Sequence, residues 1–300
     1  MKIVTVLMST YNGAEYLSEQ IDSLLKQEGV EISILVRDDG STDNTIKLLD
    51  KYQKEGILTW YSGENLRSAK SFLDLIKHAP SSDYYAFCDQ DDVWNKNKLR
   101  RAVNKLDKLK EDIPKLYCAN YQLVDAVLNE LPDNGHMSTT TLEEALIASN
   151  CTGCTTVFNR KLLEYLKVDV PQYIVMHDDW AHKVCLALGG KVIYDNEKVL
   201  MYRQHGNNVD GGVHNKREKV VQISKRIRSK ECIRSKQLEE ILRIYKNYIP
   251  KENYYKIKMV ASYRNKNIIE RLKLAFSKII TTSYKRMNRG FRMAIIFKYY

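Results

Sequence analysis

Three hundred residues, 44% of them hydrophobic, can form one large α/β domain, or one domain with an appendage, around a sizeable core. No apolar run approaches the ~20 residues needed to span a bilayer, and the net charge of +11 comes with no zinc-finger spacing, RNP-like aromatic motif or glycine-clamp loop, which speaks against a membrane-spanning chain and a nucleic-acid reader. The charge is uneven: residues 1–215 hold 24 Lys+Arg against 31 Asp+Glu and residues 216–300 hold 24 against 6, so the tail, not the body, suits an anionic membrane surface or a lipid phosphate.

Residues 2–8 are β-rich and run into the small polar loop Ser9-Thr10-Tyr11-Asn12-Gly13, which can hold a nucleotide, before an expected helix near 14–27. A second strand, 31–36, ends in Arg37-Asp38-Asp39-Gly40-Ser41-Thr42-Asp43, where Ser41 or Thr42 is placed to cap the next helix. A strand near 57–61, a helix near 68–78, a strand at 84–88 and a helix near 95–110 continue the series. Such alternation predicts a mostly parallel sheet covered on both faces by helices, with residues 1–110 as the nucleotide-binding half.

The fourth strand organises the chain. Tyr84-Tyr85-Ala86-Phe87-Cys88 ends abruptly in Asp89-Gln90-Asp91-Asp92-Val93-Trp94, delivering three carboxylates to a strand's carboxyl end, where open α/β sheets bind ligands. Carboxylates so close repel one another, and a divalent cation bridging to a phosphate relieves that repulsion. The plainer alternative is an acidic turn that caps the next helix.

A strand is expected at 115–118, then a polar surface excursion through His136, a short helix at 141–149, and a turn at 150–158 entering a strand, with Gly153 marking close backbone approach. Cys151 and Cys154 form a lone C-x-x-C. The six cysteines lie mostly among apolar neighbours behind a start with no signal peptide, so reduced thiols in the cytosol are expected. Met176-His177-Asp178-Asp179-Trp180 opens a helix to about Leu188, and Gly189-Gly190 stops it. Asp178 and Asp179 at its start are acidic caps or something more. A strand at 191–194 follows, and after residues 199–202 come Arg203-Gln204-His205-Gly206-Asn207-Asn208 and a glycine-bearing loop to Val213, able to close over a ligand.

Beyond residue 216 the pattern becomes that of basic amphipathic helices. Val220, Ile223, Ile227, Leu238, Ile241 and Tyr245 recur at helical spacing. One reading attaches them to the inner face of a membrane, with Phe291, Phe297, Tyr299 and Tyr300 at the lipid boundary. The other makes them a helical cap on the core or a contact between two chains in a homodimer.

Five stations, Ser9-Thr10-Tyr11-Asn12, Asp38-Asp39-Gly40-Ser41-Thr42-Asp43, Asp89-Gln90-Asp91-Asp92-Val93-Trp94, His177-Asp178-Asp179-Trp180 and Tyr202-Arg203-Gln204-His205-Gly206-Asn207, together resemble the inverting family-2 glycosyltransferases of the GT-A fold, in particular their bacterial rhamnosyltransferase-type branch. The resemblance covers residues 1–215, with 111–215 as the acceptor half. It departs where that branch commonly has His-Asp-Trp-Trp. It implies that Thr10, Tyr11, Asn12 and Asp39 surround the nucleotide base and ribose, that Asp89 and Arg203 meet the nucleotide-sugar, and that Asp91, Asp92 and His205 hold Mn2+ or Mg2+. Asp178, or second to it Asp179, becomes the base, because Asp178 stands eleven residues before Gly189, which is the family's spacing. Asn150, Thr152, Gly153, His177 and Trp180 then shape the acceptor side.

The implied reaction moves a hexose, foremost L-rhamnose from dTDP-rhamnose, onto a bacterial surface polysaccharide or lipid-linked glycan. UDP-hexoses and UDP-N-acetylhexosamines are rival donors, because a carboxylate and an aromatic ring do not separate uracil from thymine. A sugar nucleotidyltransferase would carry a glycine-rich, lysine-bearing loop after the first strand, which is absent here. A nucleic-acid-binding use of the tail is the third alternative.

Overall fold

Period-two burial on both faces of a strand requires a sheet covered on both sides, and the fourth strand has it: Tyr84, Ala86 and Cys88 enter one hydrophobic cluster while Tyr85 and Phe87 enter another. The computed structural model describes residues 1–110, 112–132, 137–206 and 232–300. Its eight strands are β1 (Ile3–Thr10), β2 (Glu31–Asp38), β3 (Thr59–Ser62), β4 (Tyr84–Cys88), β5 (Val93–Trp94), β6 (Lys115–Val124), β7 (Val157–Asn159) and β8 (Lys191–Arg203). They lie in the order β3-β2-β1-β4-β7-β6-β8-β5. The pairs β2–β3, β1–β2, β1–β4 and β6–β8 are parallel, and β4–β7, β6–β7 and β5–β8 antiparallel.

Helices α1 (Leu17–Leu25), α2 (Thr45–Lys54) and α4 (Lys98–Leu106) cover one face through residues such as Ile21, Leu49 and Leu99. The other face takes α3 (Arg67–His78), α5 (Leu142–Ile147), α6 (Arg160–Leu166) and α7 (His177–Ala187), and over them the C-terminal helices α8 (Ile233–Tyr245), α9 (Lys251–Ala261), α10 (Ile268–Ala275) and α11 (Lys285–Ile296).

Three expectations change. The expected caps Ser41 and Thr42 do not cap α2: the residue preceding that helix is Asn44, and the Asp43 carboxylate accepts the Thr45 amide at 3.0 Å and the Ala14 amide at 3.1 Å, while Ser41 donates to Asp38. The excursion after Cys118 begins as strand, because β6 runs on to Val124 alongside a single uninterrupted β8 with bulges at Ala119–Asn120 and Asn120–Gln122. Phe291 and Tyr300, expected at a lipid boundary, are buried with Leu238, Ile241 and Tyr245 in the cluster that holds α7. The Tyr300 hydroxyl donates to the Leu146 carbonyl, and its ring meets Phe291 and Tyr263 edge-on. The inward apolar stripes of these helices pack on one another and on the sheet layer. Val220, Ile223, Ile227, Asn207, Asn208 and the loop to Val213 lie outside the described residues.

Tyr300→Ala should therefore destabilise the protein by about 3 kcal/mol or more through cavity formation, measured by urea unfolding. A change within about 0.5 kcal/mol would mean that the chain's end contributes nothing to the core.

Candidate active site

Parallel pairing brings the carboxyl ends of β1, β2 and β4 to one edge, with Thr10 beside Asp38 and Met8 beside Cys88. The loop after β1 is built from its own polar groups. Thr10 is buried and donates to Asp38 at 3.1 Å, and Asn12, at φ 47°, accepts the Thr42 amide through its side chain at 2.8 Å. Both side chains thereby hold the loop in shape. Tyr11 presents its ring, 48% exposed, while the Gln90 amide group fixes its backbone by accepting from its N–H at 2.9 Å and donating to its carbonyl at 3.2 Å. Asp39 is buried. Its Oδ1 takes the Arg37 guanidinium and the Leu66 amide at 2.9 Å, and its Oδ2 the Arg67 amide at 2.9 Å, which leaves one acceptor direction on Oδ2.

The acidic turn after β4 divides into two pairs. Oxygens of Asp89 and Asp92 and the sulfur of Cys154 lie within 4.8 Å of one another. Burial, then the charges of Asp91 and Asp178, pushes Asp89 up to about 7. Asp92 is held well above the usual carboxylate range by burial and by Asp91 and Asp89, and its Oδ2 is buried without a hydrogen-bond partner. Asp91 instead pairs with His205 Nε2 at 2.8 Å, and the His205 ring lies 4.9 Å from that of Tyr16.

An orphaned buried carboxylate oxygen beside a second half-buried carboxylate suits a hard divalent cation such as Mg2+ or Mn2+. The Cys154 thiol, raised by burial, does not suit one. Carboxylate donors therefore fit the expected metal, and Asp89, expected on the nucleotide-sugar, sits among them.

Antiparallel pairing of β5 with β8 sets Val93 beside Met201 and brings Arg203 and His205 to the acidic turn. Arg203 is committed within the protein: its amide donates to Asp92 at 3.2 Å, Nε to the Asp91 carbonyl at 2.8 Å, Nη1 to the Ala126 carbonyl at 2.5 Å, and Nη2 pairs with Glu19. It thereby fixes the shape of the acidic turn.

On the other side, the turn Gly153–Thr155 joins this cluster to α7. The Gly153 amide donates to Asp178 Oδ2 at 2.8 Å, and Cys154 faces Asp89 and Asp92. Burial, and after it the charge of Asp179, pushes the Asp178 carboxyl up to about 7 against the backbone amides that favour its charged form. Asp179 has the opposite environment: Lys183 pairs with its Oδ1, Gln237 donates to its Oδ2 at 2.5 Å, and its carboxyl is held below the usual range.

The remaining acceptor-side expectations separate. Asn150 and Thr152 are half-buried in the segment leading to Gly153, where the Thr152 carbonyl accepts the Thr155 amide at 3.0 Å. His177 is buried, stacked on Phe72 at 3.8 Å, edge-on to Phe87, and pushed down to about 3 by burial. Trp180 is fully buried against Tyr245. Both are buried in the wall behind the site. A cavity of about 890 Å³ whose lining includes Glu143, Glu252, Tyr255 and Lys256 lies elsewhere, and Lys256 already pairs with Glu143 and Glu252.

Sequence reading missed Lys98 and the role of Gln90. Lys98 is fully buried over the Trp94 ring, donates from Nζ to the Cys154 carbonyl at 2.6 Å, and is lowered to about 7 by burial against the pull of Cys88, Cys154 and the aspartates. Its only signal in sequence was a lysine at the start of an amphipathic helix directly after the acidic turn. Between pH ~7 and ~10.4 the unfolded chain holds a proton that folded Lys98 gives up, so Lys98 makes stability rise with pH there. Relative to Lys98→Met, the wild type should gain up to about 1.4 kcal/mol per pH unit across that window by urea unfolding. A pH-independent difference would refute the perturbed lysine.

The sequence profile described as Glycosyl transferase family 2 matches residues 5–166. The dTDP-rhamnosyl transferase RfbG of Shigella flexneri is 31% identical over 221 residues, spanning 68% of this chain and 73% of that protein. The structure of TarS 1-349 from S. aureus in complex with UDP superposes with a TM-score of 0.59 at 16% identity, over 99% of this chain and 89% of that one. The mannosyltransferase PcManGT from Pyrobaculum calidifontis, in complex with GDP-Man and Mn2+, gives 0.54 at 17% identity over 98% and 85%. At such identities the two structures establish a common fold.

Proposed function

This chain belongs to glycosyl transferase family 2 and is a glycosyltransferase of GT-A fold; from that premise we propose that it moves L-rhamnose from dTDP-rhamnose, with inversion, onto a bacterial surface polysaccharide or lipid-linked glycan. The observation that carries the reading is the junction of two acidic centres: consecutive residues Gly153 and Cys154 touch Asp178 and the Asp89–Asp92 pair, and Asp89 feels the charges of both Asp91 and Asp178.

In this reading Tyr11 stacks on the base and the open direction of Asp39 Oδ2 accepts an imide N–H. Asp89, Asp91 and Asp92, with His205 at hand, would hold Mn2+ or Mg2+, which would supply positive charge against the negative charge developing on the departing nucleoside diphosphate. Asp178, with a proton affinity near neutrality, takes the proton of the acceptor hydroxyl as its oxygen bonds to C1 and the C1–O bond to the diphosphate breaks. Asp179, already neutralised by Lys183, is a poorer base.

The likeness to RfbG supports the donor. A UDP-hexose or UDP-N-acetylhexosamine is the second reading, favoured by the UDP complex of TarS and by base contacts that suit uracil as well as thymine. The test is release of nucleoside diphosphate from a panel of dTDP- and UDP-sugars with Mn2+ and membrane-derived acceptors. Turnover confined to dTDP-rhamnose supports the first reading, turnover of a UDP-sugar alone the second, and release from none would end both.

A further inference from the structure

Where burial has removed Phe291 and Tyr300 from any lipid boundary, a different apolar surface remains. Helices α10 and α11 pack together, with the Arg292 guanidinium 4.8 Å over the Phe276 ring. Their inward positions, Leu274, Ala275, Met287 and Phe291, are buried. On the outward stripe of α10 and just beyond it, Ile269, Leu272 and Phe276 are 63, 40 and 59% exposed, and on that of α11 Met293 and Phe297 are 44 and 55% exposed. Isolated exposed apolar residues are ordinary, but here five stand on, or one residue past, the outer stripes of two helices that pack together.

The charge around the patch selects its occupant. Residues 268–300 contain eight Lys or Arg against a single carboxylate side chain, Glu270 at the start of α10. Lys273, Arg286, Arg289 and Arg292 are exposed, and spacings of three and four residues set Arg286, Arg289, Met293 and Phe297 along one side of α11. A second copy meeting this face about a two-fold axis would oppose cation to cation. A polyanion such as nucleic acid would match the charge and leave the aliphatic stripe wet. An anionic bilayer matches both, with aromatic and aliphatic side chains entering the headgroup boundary and cations meeting lipid phosphates.

We propose that the outer face of the α10–α11 pair docks on an anionic lipid bilayer, lying in its surface, since among the described residues no helix is long and apolar enough to cross one. The docking does not depend on which nucleotide-sugar is used, and vesicle binding reads it without any turnover.

The experiment is sedimentation of the full chain with phosphatidylcholine vesicles, with and without about one-third phosphatidylglycerol. The wild type should bind the anionic vesicles at least about tenfold more tightly than the neutral ones, and high salt should weaken it. The exposed double variants Phe276→Asp/Phe297→Asp and Arg286→Glu/Arg289→Glu should each lose about tenfold or more, with thermal melting and nucleoside diphosphate release in vesicle-free solution unchanged. Equal binding by wild type and both variants, no binding by the wild type, or a solution dimer that the same variants disrupt would overturn the proposal. So would salt-sensitive retention on DNA without vesicle affinity.

Discussion

Asp178→Asn should lower turnover by about 10²- to 10⁴-fold, the usual contribution of a positioned general base, while donor affinity stays within about twofold of wild type. The amide keeps a carbonyl oxygen for the Gly153 N–H but cannot take a proton from the acceptor hydroxyl. The carboxyl sits at about 7 in the folded protein, and only its ionised form is a base, so kcat/KM should rise with pH through that value and level off above it. Asp179→Asn provides the contrast. It removes the neighbouring charge that helps raise Asp178, so the acid limb should move below 7, and it leaves the buried Lys183 ammonium unpaired at a cost of about 3–5 kcal/mol in stability. An inactive but folded Asp179→Asn beside a working Asp178→Asn would reverse the assignment.

The second large effect concerns the acidic turn. Chelation of divalent ions should abolish wild-type turnover, and Mn2+ should restore it. In Asp91→Asn the Mn2+ concentration for half-maximal activity should rise about tenfold or more, because the variant removes an anionic oxygen and the partner that orients His205. Donor binding measured without metal should change little. Full activity in chelator, or an unaltered Mn2+ titration for Asp91→Asn, would remove the ion from the mechanism. Glu19→Gln is the useful neighbour: it weakens the Arg203 clamp without touching the proposed ligands, so it should cost stability before it changes the metal requirement.

That Asp89, Asp91 and Asp92 stand at a ligand-binding edge could be read from the chain alone, because a five-residue apolar strand ending in carboxylates has one sensible place in a parallel sheet. That Asp178 and not Asp179 is the ionisable group near neutrality could not. The two are adjacent and identical, and what separates them is Lys183 one helical turn on and Gln237 from a helix 58 positions away. Thr10, Asn12 and Arg203 were motif residues whose side chains prove to hold loops, while Gln90 and Lys98 entered the site without having been assigned any part in it.

Local pattern by itself determined the α/β class, the edge where ligands meet and the acidic character of the site, since period-two burial and parallel connections follow from residue order over short stretches. Tertiary structure alone decided that β5 pairs with β8 to set His205 on Asp91, that Gly153 and Cys154 join two acidic centres, and which face of the basic tail is left for a partner. Those outcomes depend on contacts between segments tens to more than a hundred positions apart. An amphipathic stripe specifies that something must cover it, and only packing fixes what does.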